Sequence, residues 1–246
     1  MVSAELQRIA AAGAACLALG MGAGFARAEA PASATAEAGT SGDPPRVRSK
    51  RQARQADPDL LRAWRAYGEG QLTAARAAYA AVLARDAHNV QAWNGLALVA
   101  LRAGEHALAL ECYRRAAAAD PKDAQAQAAL ALMEPRPAPD SLLRLKQQLA
   151  EQPRAAALHF ALGALYADQA QWSEAQSAFF AAAGLDAGNP DYLYNLAVSL
   201  DQLRQSAPAL RHYRAALAAA RSRPAAFDID KAQRRAAQLA TDPEQP

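Results

Sequence analysis

The chain has 246 residues; AVILMFWYC make up 52% of it but aromatics only 6%, and alanine fills much of the difference. Alanine is the strongest helix former and loses no side-chain entropy on folding, and Val, Ile and Thr are scarce, so the composition argues for an all-α protein and against a sheet or barrel. Net charge is +3 from 27 basic and 24 acidic residues, a balanced, solvated surface and not a nucleic-acid footprint.

Residues 1–28 read as an export signal. The run from Ile9 to Ala26 carries no charge, Arg8 precedes it, and Ala26-Arg27-Ala28 offers a small-x-small cleavage site. Cleavage is one outcome. A second is an uncleaved segment, residues 9–26, tethering the chain to the inner membrane. A third is a lipid on Cys16, after Gly13-Ala14-Ala15, although the usual leucine three residues before that cysteine is missing. Each outcome makes this an exported bacterial protein, expected in the periplasm. Residues 29–56 form a linker, first rich in Ala, Pro and Ser, then basic with Arg46, Arg48, Lys50, Arg51 and Arg54. Such a composition cannot bury enough surface to offset chain entropy. The basic run is a solvated tether, or is attracted to anionic headgroups or an acidic partner.

From residue 57 the chain is helical and repetitive. Gly70, Ala75, Tyr79 and Asp86 recur in the same order, at one constant interval, as Gly104, Ala109, Tyr113 and Asp120. Ala175, Phe179 and Ala182 recur at that same interval as Ala209, Tyr213 and Ala216. Tyr113 and Phe179 are separated by just under two such intervals, room for one further, slightly shortened unit. The pattern predicts five units near 57–89, 90–122, 123–155, 156–189 and 190–221. The third diverges: a helix over about 123–134, a break at Pro135, Pro137 and Pro139, then a helix over about 141–151. Residues 222–246 supply a tail and a capping helix over 227–240, with Asp228 at its N-terminus and Ile229, Ala232, Ala236 and Leu239 on one face.

These marks resemble the tetratricopeptide-repeat (TPR) family. Its pattern of Trp, Leu-Gly, Tyr, Ala, aromatic, Ala and Pro is met by Trp93, Leu96, Ala97, Ala109, Tyr113, Ala116 and Pro121. It is met again by Leu162, Gly163, Tyr166, Ala175, Phe179 and Ala182, and by Leu196, Ala197, Ala209, Tyr213 and Ala216. The resemblance implies an all-α solenoid of about five helix pairs with a C-terminal capping helix. Small residues such as Ala63, Ala97, Gly163 and Ala197 would let the helices of a unit approach, and Tyr79, Tyr113, Phe179 and Tyr213 would fill the space between units.

No chemistry-bearing constellation emerges. His88, His106, His159 and His212 share no helix at i, i+4, no H-E-x-x-H or C-x-x-C occurs, and Cys112 is a lone thiol beside Tyr113. Gly20, Gly22 and Gly24 follow no strand and lie within the export signal. We therefore expect no catalytic residue, metal, cofactor or small-molecule substrate. In the family, the first helix of each unit lines a concave face that binds a peptide or partner helix. Here that implies a groove of Trp64, Asn94, Leu98, Arg102, Phe160, Asp168, Tyr194, Asn195, Asp201 and Gln202, taking proteins through apolar or aromatic anchors. Leu60, Asn94, Phe160 and Tyr194 stand where some members place a carboxylate-clamping lysine, so that clamp is absent. Residues 158–201, with Ser141–Leu149 before them, are similar to the C-terminal TPR region of accessory proteins of type IV pilus systems, the mannose-sensitive haemagglutinin type especially. That implies an accessory factor in pilus or secretion-system assembly. A lipidated secretin pilotin of the outer membrane and a general envelope adaptor are the alternatives.

Overall fold

The computed structural model describes residues 57–133 and 140–241. The expected export segment 1–28, linker 29–56, proline break at 135–139 and tail beyond Thr241 lie outside the described residues. Within them are eleven helices and no strand. They are α1 (Pro58–Gly68), α2 (Leu72–Arg85), α3 (Val90–Arg102), α4 (His106–Ala119), α5 (Ala124–Met133), α6 (Ser141–Glu151), α7 (Ala156–Asp168), α8 (Trp172–Leu185), α9 (Pro190–Gln202), α10 (Ser206–Ala219) and α11 (Ile229–Ala240). Apart from α5, each helix packs chiefly on its neighbours in sequence, which makes the array a solenoid, and α11 closes it by packing on α10.

Short turns produce this order. α1, α3, α7 and α9 each end in the same two-bond motif, a long backbone bond closing over a shorter one. The pairs are Gln71 to Ala66 with Gly70 to Tyr67, Glu105 to Ala100 with Gly104 to Leu101, Gln171 to Tyr166 with Ala170 to Ala167, and Gln205 to Leu200 with Arg204 to Asp201. This Schellman-like closure needs a left-handed residue at its apex. Glycine supplies it at Gly70 (φ 76°) and Gly104 (φ 77°), but Ala170 (φ 56°) and Arg204 (φ 58°) adopt the same conformation with a Cβ. α1, α3, α9 and α11 start on side-chain caps: Asp57 receives Asp59 N–H, Asn89 receives Ala92 N–H, Asn189 receives Asp191 and Tyr192 N–H, and Asp228 receives Lys231 N–H. Three first helices share a further latch, a side-chain nitrogen reaching the carbonyl of a residue in the preceding turn. Trp93 Nε1 meets Ala87 O at 2.8 Å, Gln127 Nε2 meets Pro121 O at 3.2 Å, and His159 Nε2 lies 3.0 Å from Pro153 O. His159 thus makes in α7 the latch that Trp93 makes in α3.

The core is alanine and aromatic rings. Ala63, Ala75, Ala97, Ala109, Ala175, Ala197 and Ala209 are fully enclosed, with Tyr79, Tyr113, Phe179 and Tyr213 among them. Ring and small residue are matched. A Cβ on Gly163 would stand 2.7 Å from Phe179 Cδ1, and one on Gly95 only 2.2 Å from Tyr79 Cζ. Tyr79 thus fills the junction between α2 and the following α3, as expected. Phe179 packs against α7 of its own pair, on Gly163 and on Phe160 with ring centroids 5.4 Å apart.

The divergent third pair is built differently. α5 packs directly on α7 and only lightly on α6, whereas elsewhere the second helix of a pair lies against the first. The sequence accounts for this. α5 is alanine-rich on every side, with no exposed residue along its length, and α6 lacks the alanine and aromatic that seat the other second helices. α6 is held by buried Leu145 and by Leu142 and Leu149, by Lys146 over the Tyr166 ring at 5.6 Å, and at its end by Gln152 on Lys122 O at 2.9 Å.

Candidate partner-binding groove

All ten candidate groove residues lie on the first helices α1, α3, α7 and α9. They divide by exposure. At the N-terminal end, Trp64 is half-buried and stacks on Tyr67 with centroids 5.9 Å apart. The exposed Arg102 lays its guanidinium over the other part of that platform, 5.4 Å from the Tyr67 centroid, and donates to Tyr67 O at 2.9 Å. Trp64 and Arg102, from different pairs, therefore meet around one buried ring. A guanidinium carries several N–H donors in a fixed fork, so this one bond leaves others to face outward.

Four candidates are corrected by burial. Leu98 and Phe160 have essentially no exposed surface. Phe160 lies between Phe179 and Tyr192, its ring 5.2 Å from the latter, so the α7–α9 junction consumes it. Asn94 is 1% exposed. Its amide donates to Asp123 Oδ1 at 2.9 Å, the same oxygen that caps α5 through Ala126 N–H at 2.7 Å. Burial pushes the Asp123 carboxyl up, and these two donors pull it back. Asn195 is buried and donates to Asp191 O at 2.9 Å. Asn94 and Phe160 thus join units, and burial leaves none of the four a face for a partner.

At the C-terminal end the groove is occupied by the chain itself. Tyr194 is half-buried under Phe227, the two rings parallel within 2° at 4.4 Å. Asp191 Oδ1 accepts Ala226 and Phe227 N–H, and Arg223 forms a paired contact with Asp186 at 2.8 and 3.0 Å. Asp201 accepts Arg235 of α11 and the Tyr213 hydroxyl. Asp168 and Gln202 stay exposed, with partial burial raising the Asp168 carboxyl. Sequence reading missed Arg223, Phe227 and Arg235 as the closing set. Phe227 one residue before a helix-capping aspartate was the available signal.

Burial, with a smaller push from Glu111, raises the Cys112 thiol to about 11, leaving it protonated and unreactive near neutrality. Among the described residues no group of three His, Cys, Asp or Glu is placed to hold a metal, and no helix is long and apolar enough to cross a membrane.

Residues 60–124, the stretch containing the Trp64–Tyr67–Arg102 cluster, match the tetratricopeptide-repeat family. The array has the fold of a TPR solenoid. Curated proteins offer no significant match. Among solved structures this array is similar to TTC0263, a thermophilic TPR protein of Thermus thermophilus, at 24% identity over 74% of this chain and 97% of that one, with a TM-score of 0.59. It is similar to PilW, a widely conserved type IV pilus biogenesis factor, at 18% identity over 76% and 93%, TM-score 0.52. It is also similar to PilF of Pseudomonas aeruginosa, at 18% over 74% and 86%, TM-score 0.50. At such identities the likeness establishes a shared fold.

Proposed function

We propose that this chain is an exported, non-enzymatic TPR scaffold that holds a segment of another protein in the N-terminal part of its groove, as an accessory factor in type IV pilus or secretion-system assembly. The observation that carries the binding reading is the Trp64–Tyr67–Arg102 cluster. It offers an accessible aromatic face beside a guanidinium with outward donors, which suits a partner segment with an apolar anchor next to a carboxylate. The C-terminal end of the groove, by contrast, is filled by Phe227. The envelope reading draws support from the apolar run Ile9–Ala26 with its small-x-small site. The pilus reading draws support from the sequence likeness of residues 158–201 to pilus accessory proteins and from the fold shared with PilW and PilF.

The test uses the full chain as bait in detergent-solubilised envelope of its source organism, beside a Trp64→Ala/Arg102→Ala bait checked for unchanged helicity. Pilus or secretion components retained by the first and lost by the second are the expected result. Equal retention by both would remove the groove from the account, and retention of no envelope component by either would remove the assembly role. Cell fractionation of the same chain reads export directly, and a cytoplasmic pool alone would overturn it.

A further inference from the structure

The entry to α9 departs from the entries to α3, α5 and α7, and each departure is used by one irregular segment, Arg223–Phe227. The residue just before the helix cap is His88, Lys122 and Arg154 at the other entries but Gly188 here. A Cβ on Gly188 would stand 3.1 Å from Arg223 Nη1, so the missing side chain makes room for the guanidinium that grips Asp186 through two nitrogens. Just inside the helix, Gln91, Gln125 and Ala157 give way to Asp191. Asp191 has no exposed surface, and no other carboxylate or basic group among the described residues is buried so far. A buried carboxylate needs donors, and its Oδ1 takes Ala226 N–H at 2.8 Å and Phe227 N–H at 3.3 Å. At the matching place further along, Asn94, Ala128 and Phe160 give way to Tyr194, on whose ring Phe227 lies flat.

These contacts ask little of the segment that makes them. They take a guanidinium, a ring, and two backbone N–H groups of the kind that every residue but proline carries. The segment is neither helix nor strand, so its backbone groups are not committed to a regular ladder. Its own hold is thin. Phe227 is its one ring, α11 beyond it buries only Ala232, Ala236 and Leu239, and the one substantial neighbour of α11 is α10. In a solenoid each element leans on its neighbours, so one that has a neighbour on a single side opens at the lowest cost.

We propose that the seat of Gly188, Asp191 and Tyr194 is a second peptide-binding site, closed by Arg223–Phe227 as an autoinhibitory latch. A segment of another protein with an arginine and an aromatic residue at the spacing of Arg223 and Phe227 displaces the latch and takes over its contacts. The site is distinct from the Trp64–Tyr67–Arg102 cluster and does not depend on it. A ligand enters only while the latch is open, so its apparent affinity is reduced by the open fraction.

The probe is a fluorescent synthetic peptide with the sequence of residues 221–229, blocked at both ends. Its counterpart carrying Arg223→Ala and Phe227→Ala is the control. Anisotropy titrations use the full chain, as the parent and with Arg223→Ala/Phe227→Ala to loosen the latch, matched by circular dichroism. The loosened chain should bind the probe at least ~10-fold more tightly than the parent and should not bind the control. Adding Gly188→Arg, which copies what the turn before α7 carries at that place, should abolish binding. Hydrogen exchange of the parent needs no variant. The Ala226 and Phe227 amides should exchange well before those of α9 and α10, and faster still in a large excess of probe. Exchange of these two amides only together with α9 and α10, no binding by the loosened chain, equal binding of probe and control, or binding that survives Gly188→Arg would each overturn the proposal.

Discussion

At the scale of the residue, the turns and the rings make the tightest demands. A left-handed non-glycine residue costs roughly 1–2 kcal/mol, partly offset because glycine loses more entropy on folding. Ala170→Gly should therefore stabilise the array by roughly 0.5–1 kcal/mol, whereas Gly104→Ala should destabilise it by as much or more; urea midpoints of the two variants read both signs. Tyr79 presents a different case. Its hydroxyl is buried with no hydrogen-bond partner among the described residues, and burial holds the phenol far above its usual range. Leaving a polar group unsatisfied costs about 1–3 kcal/mol, so Tyr79→Phe should raise thermal stability and Tyr79→Leu should not. His212 carries a pH dependence. Burial, aided by Arg211, lowers its folded pKa below the ordinary histidine value. Between the lowered value and the ordinary one the unfolded chain binds more protons than the folded one, so this contribution is fully present above that window and lost as pH falls through it. Denaturation midpoints at about pH 7.5 and about pH 5.5 should differ less in His212→Asn than in the parent.

Among the elements, α6 is the weak member. It buries only Ser141 and Leu145 fully, exposes Leu143, and lies lightly on α5. Local opening follows buried contact, so its amides should exchange with deuterium sooner than those of α4 or α8. Protection of α6 equal to theirs would mean that its few anchors hold it as firmly as a full ring-and-alanine seam. The helices themselves were largely legible in the sequence: α6 spans the expected 141–151, α5 falls within 123–134, and Asp228 caps α11 as its position before Ile229 implied. The groove was less so. The repeat period says which helix a side chain is on, but burial at the concave side depends on what the next unit brings. Asn94 is claimed by Asp123, Phe160 by Tyr192 and Tyr194 by Phe227. Those partners come from whatever follows in the chain, at a spacing that differs from one junction to the next, so no repeat rule locates them. Likewise, nothing in the period announces that α5 and α7 touch directly, because that follows from two absences, the missing ring and missing alanine of α6.

For the whole molecule, contacts run between neighbours, so stability is a chain of local terms. Gly95→Ala drives a Cβ into the Tyr79 ring and should cost about 1–3 kcal/mol by overpacking. The damage should stay local: hydrogen exchange should rise in α1 and α2 while α9, α10 and α11 keep their protection, and uniform loss along the array would show that the solenoid unfolds as one unit. The contact between α5 and α7 has a consequence for anything laid along the groove. The core aromatics keep one constant step from Tyr79 to Tyr113 and from Phe179 to Tyr213, but the stretch from Tyr113 to Phe179 falls short of two such steps. A long partner therefore meets two short rulers set end to end instead of one continuous scale. Anchors spaced for Trp64 and Arg102 fall out of step beyond α5. A ligand reaching from Trp64 past α5, as far as the end that Phe227 fills, would do best as two short gripping segments joined by slack, its strength multiplying through effective concentration, with the length of the slack, more than the number of anchors, setting how tightly it is held.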